Sequence, residues 1–154
     1  MTQSFSIRIA DTDDSERILD LLAHLTLDDT RCPPDVAHKN LTKLMAFDGS
    51  CVFIGEVAGI VAATCMLIII PNLTRSGAPF AVIENVVTHP DHRGAGYGTQ
   101  ILDAACARAW QHDCYKIMLS TGSKNPTTYA FYEQAGFEQS RTGFQKRRIA
   151  PRAD

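Results

Sequence analysis

Polar and apolar residues alternate with a period of two over Phe5-Ser6-Ile7-Arg8-Ile9, which predicts a first strand. The period then changes to a helical one. Asp13 and Glu16 read as a capping pair ahead of Ile18, Leu19, Leu21, Leu22 and Leu25, an apolar stripe at helical spacing. Residues 28–34 are polar and proline-broken, and Val36, Leu41, Leu44 and Met45 predict a second helix over 35–47. Runs rich in β-branched residues at 51–54 and 60–70 flank Glu56-Val57-Ala58-Gly59 and predict a hairpin. After a loop over 71–79, the pattern gives a strand over 81–88 and a helix over 96–112. That helix shows Ile101, Leu102, Ala105, Ala109 and Trp110 on one face. A strand over 115–120 and a helix over 125–135 follow, the helix closed by Gly136. From Phe137 the chain is expected to return as one or two last strands.

Strand, helix and strand over 81–120 form a crossover, so its two strands are parallel and its hand is right. The early hairpin is antiparallel. The expected class is therefore α/β in the α+β sense, a mixed, mostly antiparallel central sheet with helices on both faces. A chain of 154 residues suits one domain over 1–154 and is too short for two.

Candidate chemistry concentrates in Ile83-Glu84-Asn85-Val86-Val87-Thr88-His89-Pro90-Asp91-His92-Arg93-Gly94-Ala95-Gly96-Tyr97-Gly98-Thr99. Glycines alternate at 94, 96 and 98, where a helix start leaves backbone N–H groups unpaired. With no Cβ atoms the chain can bend there and approach an anion, aided by the positive end of the helix dipole. That is a phosphate cradle, and its type follows by exclusion. A P-loop needs Gly-Lys-Ser/Thr, whereas Gly98 is followed by Thr99-Gln100. A dinucleotide fingerprint needs a third glycine at Thr99 and an acid about 20 residues on, near Cys114-Tyr115-Lys116. Both fail, leaving Arg93-x-x-Gly96-x-Gly98 after an apolar strand. A structural turn is the plainer alternative.

Composition narrows the picture further. Apolar residues make up 45% and charged residues 21%, an ordinary globular balance. A net charge of −2 gives no field favouring nucleic acid or an anionic membrane, and neither is expected as a partner. The basic Lys146-Arg147-Arg148 is either a solvated tail or a phosphate contact. The apolar stretch 51–70 contains Glu56, Gly55 and Gly59, so a hairpin is expected there rather than a membrane span. No charged-then-apolar leader pattern opens the sequence, and five cysteines without metal-like spacing fit reduced thiols in a cytoplasm. His89-x-x-His92 lacks partner ligands nearby in sequence, so no metal is expected.

A second motif, Asn125-Pro126-Thr127-Thr128-Tyr129-Ala130-Phe131-Tyr132-Glu133-Gln134-Ala135-Gly136-Phe137, follows in order. Together with the glycine loop it resembles the GNAT superfamily of N-acetyltransferases, strongly over 80–140 and more loosely before. Ile83-Glu84-Asn85-Val86-Val87 and Cys114-Tyr115-Lys116-Ile117 are also similar to the glucosamine-6-phosphate N-acetyltransferase branch. The chain departs from that branch at Ser123-Lys124-Asn125, where the branch carries Asp-His-Asn.

The resemblance implies the GNAT acyl-CoA N-acyltransferase fold, acetyl-CoA as acetyl donor and no metal. It implies that Arg93, Gly94, Ala95, Gly96, Tyr97, Gly98 and Thr99 hold the pyrophosphate mainly through main-chain N–H groups. Backbone groups of Val86, Val87 and Thr88 would receive the pantetheine arm, with the Val86 N–H polarising the acetyl carbonyl. Asn125 and Phe131 would lie against the cofactor. Tyr132 matches the family's general acid, since a phenol with a pKa of about 10 is protonated at neutral pH. Glu84 is the candidate base, or a ligand for the substrate ammonium. By strand alternation Asn85 points away from Glu84 unless a bulge intervenes.

The expected acceptor is a primary amine of a small molecule, glucosamine phosphate being one candidate, in a homodimer of the family's usual kind. A protein or peptide acceptor, or a non-catalytic acyl-CoA sensor, are the alternatives. Asp28, Asp29 and Arg31 read either as specificity residues of a loop over the acceptor or as a solvated loop.

Overall fold

Five strands lie in sequence order across one sheet, β1-β2-β3-β4-β5. The computed structural model describes residues 3–151, and two compact units divide the chain after Leu119. The first unit holds β1 (Phe5–Ile9), α1 (Ser15–Leu22), α2 (Pro34–Met45), β2 (Cys51–Val57), β3 (Ile60–Ile70), β4 (Phe80–Thr88), α3 (Tyr97–Gln111) and β5 (Ile117–Met118). The second holds α4 (Pro126–Gln134). Pairing is antiparallel from β1 to β4 and parallel between β4 and β5, as the crossover requires.

The hairpin is tighter than expected, because β2 runs on to Val57. Its turn is Ala58-Gly59 with φ of 49° and 78°, the double positive-φ turn whose twist matches that of the flanking strands. On one face of the sheet, α1 and α2 enclose Ile18, Leu21, Leu41, Val52, Ile54 and Val87. On the other, α3 buries Ile101, Leu102, Ala105 and Ala109. Trp110 does not join them and is 54% exposed. At about 100° per residue it falls about 130° from the centre of that stripe, so the period itself places it outside.

The cap of the first helical segment also differs from expectation. Asp11 and Asp14, not Asp13 and Glu16, form the capping box, on a short 3₁₀ turn (Thr12–Asp14) that leads into α1. Leu25 lies beyond the end of α1. Asp14 is buried and accepts from both guanidinium nitrogens of Arg8 at 2.7 Å and from Arg17 at 3.1 Å. Arg8 and Arg17 also pair with Glu56 on β2, tying β1, α1 and β2 together. The Arg8 bond holds the Asp14 carboxyl below its ordinary range, and the Arg17 bond does the same for Glu56.

Depressed folded-state values mean this stability is present above the unfolded carboxylate value of about 4 and is lost as pH falls through the lower folded values. Asp14→Asn should therefore cost about 2 kcal/mol at pH 7, a figure reduced because both arginines are partly solvated. It should also lose less than the parent chain between pH 5 and pH 3. Urea unfolding at pH 7, 5 and 3 measures both effects, and parallel curves for the two proteins would exclude the network as the acid-sensitive element.

In the second unit Gly136 follows the Ala135 cap of α4, and its φ of 90° suits the left-handed position after a helix. The strands expected from Phe137 are absent among the described residues. Residues 138–151 are exposed throughout, and only Phe144, Ile149 and two alanine- or proline-sized positions there are apolar. With no period-two pattern, the segment has no apolar face to hold it in a sheet.

Candidate active site

β4 carries a bulge that reorganises its edge. Met66 lies opposite Glu84 and Thr64 opposite Val87, so Asn85 and Val86 together face Cys65 alone. Asn85 takes a φ of 54°, a left-handed conformation that asparagine tolerates better than most residues. Hydrogen bonds at the two ends of the strand record the slip. The Ala81 N–H donates to Lys116 O on the β5 side at 3.0 Å, and the His89 N–H donates to Ala62 O on the β3 side at 2.8 Å. Residues an even number apart on an unbroken strand face the same side; these do not.

Counting back from His89, the N–H groups of Val86 and Thr88 face the β5 side. Pairing with β5 stops at Val82 opposite Met118, so within the first unit this edge has no strand partner beyond that point. Asn85 lines a cavity of about 320 Å³ between α1, α2 and the sheet, together with Ile18, Leu22, Leu41, Leu44 and Met66. Glu84 is exposed and has no cationic partner among the described residues.

The glycine loop begins α3. Gly94 and Gly96 have φ of 78° and 79°, and Gly96 is the N-cap, with no side chain to satisfy the first turn. Gln100 N–H to Gly96 O, at 3.1 Å, is the first bond of the helix. Among the described residues no acceptor meets the N–H groups of 94–99, which leaves several convergent donors at the positive end of a 15-residue helix. Gly98 is buried in the first turn, Tyr97 and Thr99 are half-buried, and Arg93 and Ala95 are exposed. The Tyr97 ring stacks on Phe5 with centroids 4.0 Å apart, anchoring the loop to β1.

Sequence reasoning singled out His89 and His92 but did not anticipate a third imidazole, His24, beside this loop. His24 meets His89 edge-on at 4.6 Å, and His89 meets His92 at 5.6 Å. His24 is remote in sequence, so no local spacing could have announced it. His89 Nδ1 accepts from the Asp91 N–H at 3.2 Å, which gives this histidine a capping role.

The remaining predicted site residues belong to the second unit. Asn125 caps α4, its Oδ1 accepting from the Thr127 N–H at 2.9 Å. Phe131 and Tyr132 are half-buried neighbours with centroids 5.0 Å apart, and Phe137 meets Tyr132 edge-on at 6.4 Å. Lys146, Arg147 and Arg148 are exposed. Of the loop residues considered for specificity, Arg31 pairs with Asp20 at 2.7 Å. Burial pushes the thiols of Cys51 and Cys106 up to about 11 and raises those of Cys65 and Cys114, which makes all four poor nucleophiles. No helix among the described residues is long and apolar enough to cross a membrane.

The bulged edge of β4 thus runs into a glycine-rich helix start, and comparison with known proteins gives the family. The acetyltransferase (GNAT) family model matches residues 18–137, and the chain belongs to that family. It is an acetyl-CoA-dependent N-acetyltransferase. A glucosamine 6-phosphate N-acetyltransferase of Trypanosoma brucei brucei is 32% identical over 135 residues, covering 85% of this chain and 87% of that protein. A solved structure from Agrobacterium tumefaciens, assigned as an acetyltransferase, superposes with a TM-score of 0.87 at 40% identity, covering 93% and 99% of the two chains. A glucosamine-6-phosphate N-acetyltransferase from Arabidopsis thaliana gives a TM-score of 0.85 at 20% identity over 96% and 100% of the chains, a likeness of fold.

Proposed function

We propose that this protein transfers the acetyl group of acetyl-CoA to the primary amine of a small molecule by direct attack. The observation that carries the reading is the β4 edge past the bulge, where the Val86 N–H is free of a strand partner and adjoins Glu84. The unpaired N–H groups of 94–99 fit an anionic pyrophosphate at the start of α3. When bound, acetyl-CoA supplies the activated acyl carbon. Backbone groups of Val86, Val87 and Thr88 would align the arm, and the Val86 N–H would stabilise charge developing on the carbonyl oxygen.

Glu84 would hold the substrate ammonium and take its proton, releasing the lone pair that forms the C–N bond. Tyr132 would give its proton to the sulfur as the C–S bond breaks, so the products are an amide and a thiol. Asn125 and Phe131 are assigned to the cofactor by resemblance. This reading takes residues 1–154 as a single N-acetyltransferase domain, in a cytoplasmic homodimer with its thiols reduced.

The test is thiol release from acetyl-CoA with a panel of amines that includes glucosamine-6-phosphate. Turnover of one or more small amines is expected. Turnover of peptides alone would move the assignment to protein acetylation. Silence across both panels, with acetyl-CoA still raising the Tm, would make the protein a sensor.

A further inference from the structure

We propose that the acceptor amine carries a compact apolar body, an alkyl or aryl group, and no phosphate. The inference rests on the small-molecule acetyltransferase reading and specifies its substrate class. Asn85, at the bulge, is among the residues that line the cavity under α1 and α2. Met66, which lines it, lies directly across the ladder from Glu84, and such cross-strand neighbours stand about 5 Å apart on one face. An amine held by Glu84 therefore has its substituent at the cavity mouth.

The walls decide what that substituent is. They are mainly apolar once alanine and cysteine are included, leucine being the commonest, and no charged side chain lines the cavity. Its polar residues, Ser15, Asn40, Thr64 and Asn85, are all uncharged, and the Thr64 hydroxyl already donates to Phe53 O at 2.7 Å. A phosphate dianion placed here would lose its hydration without gaining a cation. Nor do the neighbouring arginines offer one. Arg8 and Arg17 are engaged by Asp14 and Glu56, and Arg31 by Asp20. Lys39 and Lys43 of α2 do not line the cavity. At about 320 Å³ the space sits at the lower end of small-molecule pockets, which run from about 300 to 1,000 Å³. That suits a branched alkyl chain or a single aromatic ring.

The experiment compares kcat/KM for 2-phenylethylamine, 3-methylbutylamine, ethylamine and glucosamine-6-phosphate by thiol release from acetyl-CoA. The two apolar amines should exceed ethylamine and the phosphosugar by about tenfold or more, the discrimination typical of a hydrophobic pocket. Ala37→Phe, on the half-exposed α2 wall, should collapse the ratio of phenylethylamine to ethylamine by about tenfold through KM, with acetyl-CoA affinity reporting that the fold survives. If glucosamine-6-phosphate is preferred, the apolar acceptor is wrong and the acetyltransferase reading stands. If the apolar amines are preferred but Ala37→Phe leaves the ratio unchanged, they bind elsewhere and the cavity assignment is overturned. If no amine releases thiol, the parent reading fails and this one with it.

Discussion

Gly96→Asp is expected to weaken acetyl-CoA binding by about a hundredfold or more, equivalent to about 2.7 kcal/mol, while leaving the protein folded. Two features separate these effects. Gly96 has a φ of 79°, but a Cβ there meets nothing closer than the Gln100 amide nitrogen at 4.0 Å. Aspartate is among the residues that tolerate this conformation, so strain is limited to about 1 kcal/mol. Gly96 is also the N-cap of α3 and holds a left-handed conformation, not the extended one from which an aspartate caps a helix. A carboxylate there would instead put a like charge beside the donors meant for pyrophosphate. Calorimetric titration with acetyl-CoA should show the loss, and the Tm should stay within a few degrees of the parent chain. Gly96→Ala brings strain without charge and should lose much less affinity. Should the aspartate variant bind acetyl-CoA within threefold of the parent, the phosphate cradle lies elsewhere.

What could be read from the residues divides along physical lines. Strand β1 and the glycine loop were legible because their signals are local: a period of two over Phe5–Ile9, and alternating glycines where positive φ is needed. The bulge was legible only as a condition. Nothing in Ile83-Glu84-Asn85-Val86 demands two residues opposite one, since the register is set jointly with β3. Yet it decides which N–H groups of β4 face away from β3. The cavity was not legible, because Leu22, Leu44, Met66 and Asn85 come from four elements and each reads as ordinary core. The acid-sensitive corner was hidden for the same reason: Arg8, Asp14, Arg17 and Glu56 are solvated charges until β1, α1 and β2 converge. The over-prediction after Phe137 shows the reverse failing, strands expected on residues whose own polarity gives them no buried face.

Tyr132→Phe should lower kcat by about 10²- to 10⁴-fold, the usual worth of a positioned proton donor, with acetyl-CoA affinity nearly unchanged. The substitution is suited to the question because the ring has its own packing. Tyr132 lies on α4, half-buried, beside Phe131 and edge-on to Phe137, and phenylalanine keeps both contacts. Only the hydroxyl is lost, so kcat falls if that hydroxyl meets the sulfur as the C–S bond breaks. A tyrosine serving only to pack α4 would instead show its loss in stability, with turnover intact. Steady-state thiol release, together with thermal unfolding of both proteins, separates the two roles. A donor whose leaving thiol is more acidic needs less help from an acid, so an acetyl thioester of lower thiol pKa should recover part of the lost rate in the variant. Normal turnover by Tyr132→Phe, with acetyl-CoA as donor, would remove Tyr132 from the chemistry and leave the proton to reach sulfur from solvent.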